Sequence, residues 1–237
     1  MFAPFVPIPR AEAWSWLITS VIIHMFYYYF LLQAYAHGDL SYVYPIARGL
    51  GPLLVALFSG TLLSEHLSLR EAIGVALVSV GIAGVAFGRG LPHGFDFRAA
   101  AFAALTGLTI AGYTVVDGIG ARVAEDRLAY IVWLNILEGP WVVCVVLYQR
   151  GWGVLRHLRR NWLRGTVGGI IATVGYGIAI WALSLGAMAH VAAVRETSVL
   201  FAALMDTFLL GEHFGLRRIV AATLVVVGLL TMNLKFG

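Results

Sequence analysis

The constraint that decides most about this chain is the spacing of its apolar residues, which come in uninterrupted blocks long enough to cross a lipid bilayer. At 1.5 Å of rise per residue, about 20 helical residues span a hydrocarbon layer of roughly 30 Å. Reading from one charged, Gly or Pro break to the next gives eight such spans: 14–36, 41–63, 69–88, 98–118, 129–149, 164–185, 188–210 and 216–235. Membrane strands would need alternating polarity over about ten residues. Runs such as Ala72 to Phe87 are instead apolar on every side. A soluble fold is excluded by composition, since 60% of the residues are hydrophobic and 12% charged, against about 25% charged in a typical soluble domain. The expected fold class is therefore an all-α integral membrane bundle of about eight transmembrane helices, that is, a multi-pass membrane protein.

Sixteen Lys and Arg against twelve Asp and Glu give a net charge of +4. These charges lie mostly between the apolar blocks and not on one soluble face, so the expected partners are membrane lipid and a small molecule, with no nucleic acid. The single cysteine, Cys144, lies inside an apolar block and cannot form an internal disulfide. Met1 to Pro9 lacks the basic start of a secretory signal, and no cleaved segment is expected. Nine basic residues fall in the loops after spans three, five and seven, and five on the opposite side. The positive-inside rule then puts the Arg150 to Arg164 loop in the cytoplasm and both termini outside.

The sequence repeats itself at an offset of 147 residues. Leu63-Ser64-Glu65-His66-Leu67-Ser68-Leu69-Arg70 falls on Leu210-Gly211-Glu212-His213-Phe214-Gly215-Leu216-Arg217, with five of eight positions identical. Without a gap, the same offset matches Arg48 with Arg195, Ala56 with Ala203, Val78 with Val225 and Gly81 with Gly228. Five crossings separate equivalent residues, an odd number, so the copies face opposite ways in the membrane. Inverted repeats suit alternating access, in which two halves exchange conformations around a midplane site. The expected units are residues 1–90, a first copy with three helices, and 91–237, a second copy with five. Ten helices would complete both copies, and a longer native polypeptide is the corresponding expectation.

Three stretches carry a family resemblance. They are Tyr44-Pro45-Ile46-Ala47-Arg48-Gly49 with Pro52-Leu53, Arg195-Glu196-Thr197-Ser198 running on to Leu210-Gly211-Glu212, and Tyr113-Thr114-Val115-Val116-Asp117-Gly118. In these the chain resembles the EamA-like branch of the drug/metabolite transporter superfamily. The resemblance implies a ten-helix fold of two five-helix inverted repeats, here lacking the first two helices, and a transport function without fixing the substrate. It also implies cytoplasmic termini, contrary to the charge count, and orientation stays open.

Arginine inside a membrane span costs roughly 2.5–3.5 kcal/mol or more near the helix centre, so it faces protein or water. Arg48 and Arg195 each stand seven residues into a span and enter from opposite faces. Their guanidinium groups suit carboxylate or phosphate, which suggests an anionic or zwitterionic substrate. The bland reading is that each pairs with a buried carboxylate. Glu196, Tyr44, Tyr113 and Tyr176 are further candidate substrate-binding residues. Asp206, Asp117 and His190 are candidates for proton coupling. Pro45 and Pro52 suggest a kink near Arg48. Glu65-His66 and Glu212-His213 read as structural caps at loop edges, and Gly74, Gly81, Gly84 and Gly88 as sites of close helix approach.

No cofactor or metal is expected. The chain contains no zinc helix, nucleophile elbow, phosphate loop or cysteine cluster, which argues against an enzyme. The function expected is secondary active import or export of a small polar metabolite, with a second copy of the chain as a candidate partner. An intramembrane enzyme without a recognisable motif, a channel and an inactive truncated fragment are the competing readings.

Overall fold

The computed structural model describes residues 6–65, 67–87, 96–198, 201 and 216–233. Among these, all regular structure is helical: α1 (Ala11–His37), α2 (Leu40–Leu63), α3 (Leu69–Phe87), α4 (Phe97–Val123), α5 (Arg127–Arg150), α6 (Gly153–Arg160), α7 (Trp162–Leu185), α8 (Met188–Arg195) and α9 (Leu216–Asn233). Five of the described helices, α1, α2, α4, α5 and α7, are long and apolar enough to cross a membrane, and α9 adds a shorter apolar stretch. The first six expected spans match helices to within a few residues.

Three features of the helices go beyond what the spans alone give. The basic loop after α5 contains a short helix, α6, where no element was expected. Helix α2 runs unbroken through Pro45 and Pro52. Span seven is broken instead: α8 ends at Arg195, Glu196 and Thr197 form a turn, and helical backbone recurs at Ser198 and Phe201. Hydropathy does not register such a break, because the flanking residues are apolar and no Gly or Pro marks it.

The chain divides into two compact units, residues 1–22 with 116–185, and residues 23–115 with 186–237. In the first, α5 packs on α7. Asp126 caps α5 by accepting from the amides of Leu128 and Ala129, at 2.9 and 3.1 Å. In the second unit α3 packs on α2 and α9, and α2 on α8. Its core joins Val75, Val78, Ile82, Ala189, Ala193, Val225 and Met232. Ser68 and Glu71 start α3 with a reciprocal capping box, in which Glu71 accepts from the Ser68 amide at 2.7 Å and Ser68 Oγ accepts from the Glu71 amide at 3.3 Å.

Between α3 and α9 the two backbones touch through glycine. A Cβ at Gly81 would meet Val225 Cγ2 at 2.7 Å and the Ala221 carbonyl at 2.8 Å. A Cβ at Gly228 would meet the Gly74 carbonyl at 2.7 Å and Val78 Cγ2 at 2.9 Å. Under the 147-residue offset, Gly81 is equivalent to Gly228, Val78 to Val225 and Gly74 to Ala221. The contacts are thus reciprocal: Gly81 meets Val225 and Ala221, while Gly228 meets Val78 and Gly74. Such exchange of partners is the mark of a two-fold relation. Residue numbers rise along α3 as those of their partners fall along α9, so the helices run antiparallel. With no hydrophobic drive between helices in lipid, close approach at small residues is what holds such a pair.

Overpacking this contact costs about 1–3 kcal/mol. Gly81→Ala and Gly228→Ala are each expected to lower the melting temperature of the purified protein. Gly84→Ala, whose Cβ would sit at an ordinary 3.6 Å from Ala221 Cβ, should leave it unchanged or slightly raised.

Candidate functional site

Residues 23–115 with 186–237 bring together a cluster of charge. Arg48, from the middle of α2, donates through Nη1 to Glu196 Oε1 at 3.1 Å and Oε2 at 3.4 Å. Arg195, the last residue of α8, donates through Nε to Glu196 Oε1 at 3.3 Å and through Nη1 to Thr114 Oγ1 at 3.4 Å. Two guanidinium groups therefore converge on one carboxylate. The side chain of Glu196 is fully buried, at 0% exposure, while Arg48 and Arg195 retain 25% and 17%.

Local backbone explains the convergence. The Glu196 amide still reaches back to Ala192 O at 3.2 Å, but the Thr197 amide bonds Val194 O at 3.1 Å, three residues back, so the turn tightens there. The Thr197 hydroxyl donates to the same carbonyl at 2.7 Å. At the other end of α8, Ala187 offers no side-chain cap. Glu65, from the α2–α3 connection, fills that role by accepting from the Met188 amide at 3.1 Å. Glu65 thus has the capping role expected of it; His66, Glu212 and His213 lie outside the described residues, as does Asp206. In α2, Pro52 removes the amide that would otherwise bond the Arg48 carbonyl four residues back.

Aromatic groups border the arginines. The Tyr44 ring centroid lies 5.4 Å from Arg48 Cζ, a cation–π contact. Tyr113 is buried and stacks on His24 with centroids 4.1 Å apart, and Tyr27 meets Tyr113 edge-on at 5.6 Å. The expected pair Arg48 and Arg195, with Glu196, Tyr44 and Tyr113, is thus gathered in this unit. The repeat is broken within it: the offset places Glu196 opposite Gly49, whose Cβ would meet the Ser79 carbonyl at 3.2 Å. The arginines are duplicated and the carboxylate is not.

Asp117 and Tyr176 belong to the other unit, where they bind each other. Asp117 is fully buried. It accepts from the Tyr130 hydroxyl at Oδ1, at 3.0 Å, and from the Tyr176 hydroxyl at Oδ2. Gly120 leaves room for the Tyr130 ring, which any Cβ there would strike. His190 has a structural setting: Nε2 donates to Met232 O at 3.2 Å, and Nδ1 lies 3.6 Å from Glu71.

Sequence reading missed Tyr130 and did not single out Thr114 within its motif. A signal for Tyr130 exists. Asp117 lies shortly before the turn at 124–126 and Tyr130 shortly after it, so the α4–α5 hairpin brings the two helices' residues near that turn together.

The EamA-like transporter family model matches residues 1–87 and 97–234. The chain belongs to the EamA-like transporter family. It is accordingly a multi-pass membrane transporter of the drug/metabolite transporter superfamily. A solved structure titled "Crystal structure of protein" is similar to this EamA-like chain, with a TM-score of 0.69 and 18% identity over 93% of this chain and 76% of that one. At that identity the likeness concerns the fold. No curated protein matches the chain.

Removing the carboxylate leaves two guanidinium groups facing each other in a desolvated site, a loss of about 3–5 kcal/mol. Glu196→Gln is expected to lower the melting temperature strongly. Combining it with Arg195→Gln should recover part of the loss, a coupling that a double-mutant cycle reads directly.

Proposed function

We propose that this EamA-like protein is a secondary active transporter of a small polar metabolite carrying a carboxylate or another anionic group, alone or in a zwitterion. The observation that carries the reading is the state of Arg48. It holds Glu196 through Nη1 only, and among the described residues its Nε and Nη2 have no hydrogen-bond partner. A quarter-exposed guanidinium with two nitrogens to spare can bind an anion in the planar fork geometry that arginine favours. Tyr44 and Tyr113 would wall the ligand.

Alternating access follows from the repeat. Copies related by a two-fold, as the reciprocal α3–α9 contacts suggest, can exchange conformations so that the ligand faces each side of the membrane in turn. We place the protein in a bacterial plasma (inner) membrane and assign it no enzymatic role.

Binding is tested by thermal stabilisation across amino acids, organic acids, phosphorylated metabolites and organic cations. An anionic or zwitterionic compound is expected to raise the melting temperature, and Arg48→Gln to abolish that rise while the protein still folds. Stabilisation by cations alone, or binding that survives in Arg48→Gln, would refute the assignment.

Coupling to protons is the second part of the proposal, with Asp117 as the carrier. It is a buried carboxylate inside a membrane-spanning helix, held by the hydroxyls of Tyr130 and Tyr176. In proteoliposomes, Asp117→Asn should lose accumulation driven by a pH gradient yet keep substrate exchange. Unchanged accumulation would remove Asp117 from the coupling step.

A further inference from the structure

We propose that the connection between α5 and α7 is a binding site for the headgroup of an anionic phospholipid, with Arg159 as its principal phosphate donor. Length is the first constraint on this connection. Helices α5 and α7 are each able to cross the membrane, and between them α6 has eight residues, about 12 Å. It cannot cross and so lies at the membrane surface. At 100° per residue, Val154, Leu155 and Leu158 fall on one side of α6 and Arg156, Arg159 and Arg160 on the other, the pattern of a helix lying in the interface. Leu155 and Leu158 are exposed, as are Trp152 and Trp162 at its two ends, where tryptophan anchors a chain at headgroup level.

Charge names the occupant. Arg150, Arg156, Arg159, Arg160 and Arg164 crowd this connection, and the sequence holds no Asp or Glu between Glu138 and Glu196. All five arginines are exposed. The protein itself brings no counter-charge in sequence, whereas an anionic bilayer surface supplies phosphate at the depth where α6 lies.

Shape narrows the site further. Leu158, Arg159, Asn161, Trp162, Gly165 and Thr166 line a cleft of about 400 Å³ where α6 meets α7, within the roughly 300–1,000 Å³ usual for small-ligand sites. A guanidinium, an amide and a hydroxyl are the donors that a phosphodiester requires, and Leu158 and Trp162 give the adjoining glycerol and acyl ester an apolar wall. Nothing lies within 4 Å of a Cβ built at Gly165, so the cleft stays open there for want of a side chain.

The test uses purified full-length chain in an uncharged detergent, titrated separately with dioctanoyl phosphatidylglycerol, dioctanoyl phosphatidylcholine and inorganic phosphate, with melting temperature as the readout. Phosphatidylglycerol is expected to give a saturable rise, and phosphatidylcholine none. Arg159→Gln should raise the half-saturating concentration about fivefold or more. Gly165→Leu, which fills the cleft without altering charge, should abolish the rise, and Arg10→Gln should leave it intact. An equal response to phosphatidylcholine would overturn the proposal, because acyl chains alone would explain it. So would inorganic phosphate acting at the same concentration as the lipid, or an unchanged titration in both Arg159→Gln and Gly165→Leu.

Discussion

The buried carboxylate of Glu196 holds two cations of this protein together. Glu196 is fully buried between Arg48 and Arg195, in a chain whose surroundings are largely hydrocarbon. An isolated ion in such a medium is far costlier than a paired one, so α2 and α8 are bound to each other by charge as well as by side-chain packing. The break in helix after Arg195 belongs to the same arrangement. It places consecutive residues, one cation and one anion, within reach of a second cation from another helix. Glu65 supports the start of α8 from the connection ahead of α3, which anchors the short helix at both of its ends.

The apolar remainder follows a different rule. Exposed faces rich in Ile, Leu, Val and Phe, such as Ile18, Ile22 and Phe26 on α1, need no partner when lipid is the solvent. Association rests on how closely backbones can meet. The glycines of α3 and α9 provide that closeness, and their reciprocal partners supply in three dimensions what the 147-residue offset supplies in sequence.

Most of the helices were legible because hydropathy over a bilayer-length window is a strong signal, and Arg48, Arg195 and Glu196 were legible because charge within an apolar run has few explanations. What escaped the sequence depends on geometry that no window records. Prolines mark the sequence of α2, whereas the interruption after Arg195 lies in an apolar stretch without Gly or Pro. Tyr130 reads as an ordinary aromatic until the hairpin register sets it against Asp117. Tyr176 looks in sequence like Tyr44 and Tyr113, and only the structure shows its hydroxyl bonded to Asp117. The basic connection after α5 was legible as charge, but its helical turns, too short for any periodicity to stand out, were not.

The glycine contact also restricts how α3 and α9 can move. Each helix has a valine lodged against the bare backbone of its neighbour, Val225 at Gly81 and Val78 at Gly228. Shifting either helix along its axis by a single residue would carry those valines off the glycines and onto side chains that fill the space. A slide of that size therefore costs the close contact. Any rearrangement of these two helices that preserves their packing has to keep both valines against their glycines.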